Sequence, residues 1–445
     1  MVISTHSFSL VEKWLFILDQ KAINSFSMGN SKTLTQKKSI RYLRHLSLGK
    51  MSFTTCQIQS SWSRKRSALS IPSKVESKLS YQFIKSGLAS EALRSYVPLM
   101  QDEIRAFLER TPDFKGPSGI VQLPPVMAQI TICTASRTLQ GREVREKLDS
   151  TFAELYHALD DGFQPINFML PWFPLPQNRK RDLAQKKMTQ IYTDIIKRRR
   201  LKGNAKDSED MLWNLMQSVY KDGTPIPDTE TAHMMIALLM AGQHSSSVTS
   251  SWIMLRLAAE PEMMEALYQE QLQILGEASA PLTYENVQSL SLLKNVIRET
   301  LRLHPPIHSI MRKVKNFLPI EGTDWVVPPS HVLLATPATM GKSDKYFPAA
   351  DRWDPHRWEH IADPKDQEKE KMDYGYGLVS TGADSNYLPF GAGRHRCIGE
   401  QFANIQLAVV VSMMVRNFRL RNMKGKSGVV ATDYSVSGYI YTLVM

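Results

Sequence analysis

From Tyr81 onward the chain alternates long stretches, in which apolar residues return every third or fourth position, with short breaks at proline and glycine. Ala92, Leu93, Tyr96, Val97, Met100, Ile104 and Phe107 keep that spacing and predict an amphipathic helix. A second helix is predicted near Met127 to Leu139, stopped by Gly141, and a third over Phe152 to Leu159. The third runs into the connector DDGFQPINFMLPWFPLP, which Pro165, Pro171, Pro174 and Pro176 keep from being helical. The next helix ends in the run Lys197 to Arg200, read as a solvated end that offsets the helix dipole.

The longest periodic segment, Thr229 to Glu260, is closed by Pro261. Within it Met234 to Ala241 is apolar on every face, which predicts a helix crossing the interior. Polarity then arrives at once with Gly242, Gln243, His244, Ser245, Ser246 and Ser247. A row of hydrogen-bonding side chains inside a buried helix is costly unless each finds a partner, and such a cost points to function. A further helix over Ser289 to Leu303 places Glu299 and Arg302 on one face; Glu91 and Arg94 share that spacing and carry no assigned role. Strand-like runs follow in HPPIHSIMRKV and HVLLAT, with turns at Gly322 and Pro328, and residues 359 to 375 read as a charged surface insert. The fold class is therefore mainly α with a small β part.

Composition adds little to this until it is divided along the chain. The 445 residues are 42% hydrophobic, enough for a large core, and Cys56, Cys133 and Cys397 are too few for a disulfide framework, which suits a reducing compartment. The formal charge is +12, but residues 1 to 80 hold thirteen lysines and arginines against Glu12, Asp19 and Glu76, so nearly all of the excess lies there. No basic stripe with interleaved aromatics recurs downstream, and nucleic acid is not an expected partner. The apolar patch from Phe8 to Leu18 is interrupted by Glu12 and Lys13 and is too short to span a bilayer.

The richest chemistry lies in Tyr387 to Phe402, YLPFGAGRHRCIGEQF. It places Cys397 after a loop containing Gly391 and Gly393 and just before an apolar helical pattern, so the thiol is expected in the first helical turn, where the N–H groups favour thiolate. The glycines allow backbone to pass under a flat ring system, and Phe390 is expected to cover the sulfur.

This stretch resembles the cysteine loop of the haem-thiolate monooxygenases, the cytochrome P-450 superfamily, written F-x-x-G-x-R-x-C-x-G. Phe390, Gly393, Cys397 and Gly399 match, while His395 stands at the usual arginine. The wording FGAGRHRCIGE is similar to that of the fungal sterol 14α-demethylases, and the resemblance extends over residues 81 to about 434. It implies an incomplete cytochrome P-450 fold, with residues 1–78 an unmatched basic segment and 79–445 the catalytic domain. The family's anchor, hinge, small sheet and roof loop are not recognisable before Tyr81, for which a truncated or mis-joined gene is the first expectation and a divergent N-terminus the second, and its last hairpin is absent or rewritten after Tyr434.

The resemblance further implies haem b with iron on the Cys397 thiolate, and Arg312 and His395 against the haem propionates. His244 and Ser245 stand where the oxygen-binding groove usually holds an acid and a threonine, and Asp160 is the expected partner of His244. Glu299, Arg302 and Arg357 correspond to the core charge triad, and Phe163, Ala241, Gly242, Ile307, His308 and Ser309 to the substrate chamber. The implied activity is removal of the 14α-methyl group of lanosterol or a 24-methylene analogue with dioxygen, NADPH-cytochrome reductase as electron donor, azoles as inhibitors, and the endoplasmic reticulum membrane as location. Two other readings compete: another monooxygenase of the superfamily, or a truncated paralogue that binds haem or azoles without turnover. The groove wording AGQHSSS and the loop wording GRHRCIGE argue against the other monooxygenase, while the missing roof and last hairpin speak for the truncated paralogue or for a product that does not fold.

Overall fold

Helix α1 (Ser90–Arg110) turns the first apolar periodicity into packing: Leu93, Tyr96, Val97, Met100, Ile104 and Phe107 are all buried. The computed structural model describes residues 83–85, 87–147, 150–162, 175–202, 210–220, 222–320, 322–329, 331–359 and 385–422, with the backbone of 14–16, 371–373 and 378–380. The chain divides into two compact units, one of Phe53–Thr300, Ile398–Asp433 and Gly438–Met445, the other of Met1–Ser52, Leu301–Cys397 and Tyr434–Ser437. Most of the segment 1–78, the insert at 360–370 and everything after 422 lie outside the described residues, so the expectations about both ends of the chain do too.

The first unit is helical. Helix α2 (Leu123–Ala135) carries prolines in its first turn, where a missing N–H costs no hydrogen bond, and continues through a π-helical turn, Ser136–Gln140. It stops at Gly141, whose φ of +92° only glycine adopts freely. Helices α3 (Arg142–Glu146), α4 (Ser150–Asp160), α5 (Pro176–Lys202) and α6 (Met211–Gln217) follow. The end of α5 departs from expectation. Arg199 is only 4% exposed and is no solvated helix end: its guanidinium makes paired bonds to Asp210 (2.8 and 2.7 Å) and to Glu143 (2.9 and 2.5 Å). Asp210 also accepts the Trp213 N–H at the start of α6. A side chain on Gly141 would strike both Asp210 and Arg199, so this glycine leaves the space in which the ions meet.

Helix α7 (Asp228–Ala259) is the long segment predicted, with 18 buried residues, and α8 (Pro261–Leu275) begins at the proline that ends it. Helices α9 (Tyr284–Ser289) and α10 (Ser291–Leu303) complete the run. Thr283 and Asn286 form a reciprocal capping box at α9. The start of α10 is capped from α8, where Glu270 accepts the N–H groups of Leu292 (2.6 Å) and Leu293 (3.1 Å). Burial raises the carboxyl above its ordinary range, against the pull of these bonds.

In the second unit, β2 (Ile310–Lys313), β3 (Leu318–Pro319), β4 (Val326–Val327) and β5 (Val332–Ala335) come from the two strand-like runs and the turn between them. The turn joining β3 to β4 contains Gly322 at φ +72°, as its sequence predicted. Strand β2 pairs antiparallel with β5, and β1 (Trp14–Phe16) adds in parallel on the other side, giving the order β1-β5-β2. A strand thus forms inside the Phe8 to Leu18 patch. Helix α11 (Pro337–Gly341), a 3-10 turn at Pro355–Glu359 and the hairpin of β6 (Lys371–Asp373) with β7 (Leu378–Ser380) complete this unit. Its core is built from small clusters, Val314 with Val327 and Leu333, and Phe347 with Ala350 and Trp358.

Helix α12 (Glu400–Asn417) returns to the helical unit and buries Ile405 and an unbroken run from Leu407 through Val411. Gln406 donates to the Thr131 carbonyl (3.1 Å) and the Thr134 hydroxyl (2.8 Å) of α2, so a buried amide fixes the register of the two helices.

Candidate active site

The cysteine loop is held by backbone. The Gly391 N–H donates to the Leu388 carbonyl (3.1 Å) and the Cys397 N–H to the Phe390 carbonyl (2.8 Å), tying both ends of the loop together. Gly391 and Gly393 have φ of +70° and +60°. A Cβ on Gly391 would meet only ordinary contacts, Ile310 Cδ1 at 3.7 Å and the His395 carbonyl at 3.8 Å, so backbone conformation rather than crowding calls for glycine. Helix α12 starts at Glu400 with Gly399 as its cap, three residues after the cysteine. The thiol therefore precedes the first turn instead of occupying it, because its N–H is already used in closing the loop. Cys397 is exposed, so the ring of Phe390 does not by itself seclude the sulfur as expected.

Arg312 belongs to the same unit. It stands two residues from Ile310 on β2, and alternation places both side chains on the strand face that meets the loop. His395 is exposed at the end of the 3-10 turn Gly393–His395.

In the helical unit, the polar interruption of α7 has a definite arrangement. His244 Nε2 lies 2.8 Å from Asp160 Oδ1 at the end of α4, and the side chains are 28% and 27% exposed. A carboxylate only accepts, so where Asp160 is ionised Nε2 is the donor of this bond. The Ser245 hydroxyl donates back to the Ala241 carbonyl (3.1 Å), leaving its lone pairs to accept. The other polar residues face inward: Gln243 donates to the Ala128 carbonyl of α2 (2.9 Å) and Ser247 to the His244 carbonyl (3.2 Å). Ala241, expected to be interior, is exposed, and a Cβ on Gly242 would meet nothing within 4 Å. A buried helix therefore has one open, small-residue side halfway along it.

The cytochrome P450 family model matches residues 53–433. The chain belongs to the cytochrome P450 family. It is 59% identical over 80% of its length to a sterol 14-alpha demethylase of Aspergillus flavus, covering 69% of that protein. It is 57% identical over 80% of its length to a sterol 14-alpha demethylase of Gibberella zeae, covering 68% of it, and to an eburicol 14-alpha-demethylase of Uncinula necator, covering 70% of it. Among solved structures it is similar to the retinoic acid-bound cyanobacterial CYP120A1, with a TM-score of 0.63 and 19% identity over 78% of this chain and 72% of that one. At that identity the likeness concerns the fold, which is the P450 fold.

P450 proteins bind haem iron through a cysteine thiolate, and the donor set here fits that group. Among the described residues no cluster of three or more His, Cys, Asp and Glu stands ready for a bare metal ion. An accessible thiol on a glycine loop suits iron that brings four ligands of its own.

Of the three residues expected to form a core charge triad, Glu299 and Arg302 are buried and Arg357 is half-buried. Glu299 is 0% and Arg302 2% exposed. Arg302 donates to the carbonyls of Ala350 (2.7 Å), Arg352 (2.9 Å) and Gly341, and its guanidinium lies 5.2 Å from the Phe347 ring centroid. Arg357 shares the Arg352 carbonyl (3.2 Å) and also takes those of Pro348 (2.8 Å) and Ala349 (3.3 Å). The two arginines thus fasten one stretch, residues 348 to 352, through its backbone.

Of the expected chamber residues, Phe163 lies outside the described residues. Ala241 and Gly242 are on the open side of α7, while Ile307, His308 and Ser309 are half-buried ahead of β2, with His308 Nδ1 2.5 Å from Ser309 Oγ. Tyr156 was not singled out from sequence, yet its ring lies 6.1 Å from that of His244. Its position one helical turn before Asp160 is the signal that marks it. No helix among the described residues is long and apolar enough to cross a membrane.

Proposed function

We propose that this chain is a sterol 14α-demethylase. It removes the 14α-methyl group of lanosterol or its 24-methylene analogue as formate, by successive monooxygenations that leave a 14,15 double bond. The observation that carries the reading is the bond between His244 and Asp160, because it unites the groove of α7 with the acid that precedes the channel loop. The printed names of the relatives, sterol and eburicol 14-alpha-demethylases at 57–59% identity, agree with it.

Cys397 would hold the haem iron through its thiolate, with Phe390, Gly393 and Gly399 shaping its loop, and Arg312 and His395 would neutralise the haem carboxylates. When bound, haem with a thiolate ligand supplies oxygen activation. His244 passes protons through Nδ1 while Asp160 holds Nε2–H and stabilises the imidazolium as it forms; Ser245 accepts and hands on the same proton. Ala241 and Gly242 leave room for a flat apolar substrate, and Phe163, Ile307, His308 and Ser309 orient it. NADPH-cytochrome reductase donates electrons, azoles compete for the iron, and the site of action is the endoplasmic reticulum membrane. The catalytic domain extends from residue 79.

The test is a carbon monoxide difference spectrum of the reduced protein, together with sterol turnover in the presence of reductase. The expected result is a thiolate Soret band and demethylated sterol, both lost in Cys397→Ala. Sterol turnover retained by Cys397→Ala would overturn the assignment.

A further inference from the structure

Helix α4 reaches His244 with two side chains, one helical turn apart. Asp160 makes the 2.8 Å bond to Nε2. Tyr156, four residues earlier and only 5% exposed, sets its ring 6.1 Å from the imidazole at an interplanar angle of 37°. That separation lies within the range of favourable offset aromatic pairs. The hydrogen bond and the ring contact constrain different motions. A single bond at Nε2 holds that nitrogen near the carboxylate, but it is weak enough to break when the imidazole turns about its Cβ–Cγ bond. A tilted aromatic neighbour restricts that turning and so the side to which Nδ1 is directed.

The geometry points to Tyr156 as a positioning residue for proton delivery: through its ring, and not its hydroxyl, it orients His244 so that Nδ1 faces the open side of α7. This inference rests on the relay role proposed above for His244. The exposure figures give it physical sense. His244 and Asp160 are more than a quarter exposed, so water competes for their bond, whereas Tyr156 is buried and its ring cannot swing away. A mobile pair is thereby held by an immobile neighbour.

The test uses the reconstituted holoenzyme with reductase. Tyr156→Leu is expected to lower product formed per NADPH by about three- to tenfold, the scale set by loss of one aromatic contact. Tyr156→Phe, which keeps the ring, is expected to restore the parent value. In the His244→Ala background Tyr156→Leu should have no further effect, because there is no imidazole left to orient. A second readout needs no turnover. In 15N-histidine spectra of the ferrous carbonyl form, the His244 ring resonances of Tyr156→Phe are expected to match those of the parent, and those of Tyr156→Leu to be shifted or broadened by a reoriented ring. Failure of the phenylalanine variant to rescue, or a leucine effect that persists without His244, would overturn the positioning role. So would His244 ring resonances in Tyr156→Leu that match those of the parent. If His244→Ala itself leaves product per NADPH unchanged, the relay reading falls and this inference with it. If only the leucine variant is silent, the relay stands and the tyrosine has no part in it.

Discussion

Replacing Asp160 separates the chemistry of the His244 pair from its contribution to folding. Both side chains are roughly a quarter exposed, and an ion pair in such surroundings contributes about 0–1 kcal/mol to stability. Asp160→Asn keeps an oxygen that can accept the Nε2–H but removes the negative charge. A hydrogen bond to a charged group contributes about 1.5–3 kcal/mol and a neutral one about 0.5–1.5, so the charge accounts for about 1–1.5 kcal/mol. If that difference appears when His244 takes up a proton, the variant turns over about tenfold more slowly, since 1.36 kcal/mol is a factor of ten. Asp160→Ala loses the whole bond and the ring's tether, and about a hundredfold is expected. The assay is sterol product per minute and per NADPH in the reconstituted system, beside urea unfolding followed by circular dichroism. Stability should fall by less than about 1 kcal/mol in either variant. The reasoning is refuted if Asp160→Asn forms product at the parent rate, or if unfolding shifts by several kcal/mol while the surviving folded enzyme is fully active.

Two further predictions concern the helical frame. Arg199→Met removes the only cation described between Glu143 and Asp210 and leaves the nearly buried Asp210 uncompensated; a loss of about 3–5 kcal/mol is expected in urea unfolding, and a loss below about 1 kcal/mol would contradict the role given to the triad. His233 is held below its ordinary value by burial, and its Nε2 lies 2.9 Å from the Gln185 side-chain amide, which can donate only to an unprotonated nitrogen. The unfolded chain therefore binds the proton first as pH falls. Stability should drop on going below about pH 6.5, levelling off beneath the folded-state value, and His233→Gln should flatten that part of the profile; an unchanged profile would refute the assignment.

What the sequence reveals and what it conceals follow from the range over which each interaction acts. Helix α1 was legible because Leu93 to Phe107 repeat at helical spacing and all of them are buried. The cysteine loop was legible because its needs are local: two glycines at positive φ, a backbone bond from Cys397 to Phe390, and a helix cap at Gly399 all fall within ten residues. The polar notch of α7 was legible as an anomaly, polarity where periodicity demanded burial. Its resolution was only partly so, since Gln243 and Ser247 find partners inward while Ala241 and Gly242 face the open side.

The Arg199 triad shows why the rest was hidden. Its members stand at 143, 199 and 210, on α3, at the end of α5 and at the cap of α6, and each has an ordinary local explanation. Glu143 reads as a first-turn acid, Arg199 as one cation among four, and Asp210 as a helix cap; that last reading is also true, through the Trp213 N–H. Only Gly141 carries a trace of the arrangement, and even there the sequence explains the glycine as a helix stop. Its φ of +92° and the collision a side chain would make with Asp210 and Arg199 are separate demands that the same residue satisfies. The same reasoning applies to Tyr156. Its spacing from Asp160 is local and visible, but the imidazole that gives the spacing meaning comes from a helix 84 residues further along the chain from that acid. Sequence alone can nominate such a residue only after the long-range pair is known, which is why the test of Tyr156 must be made against His244 and not against the fold.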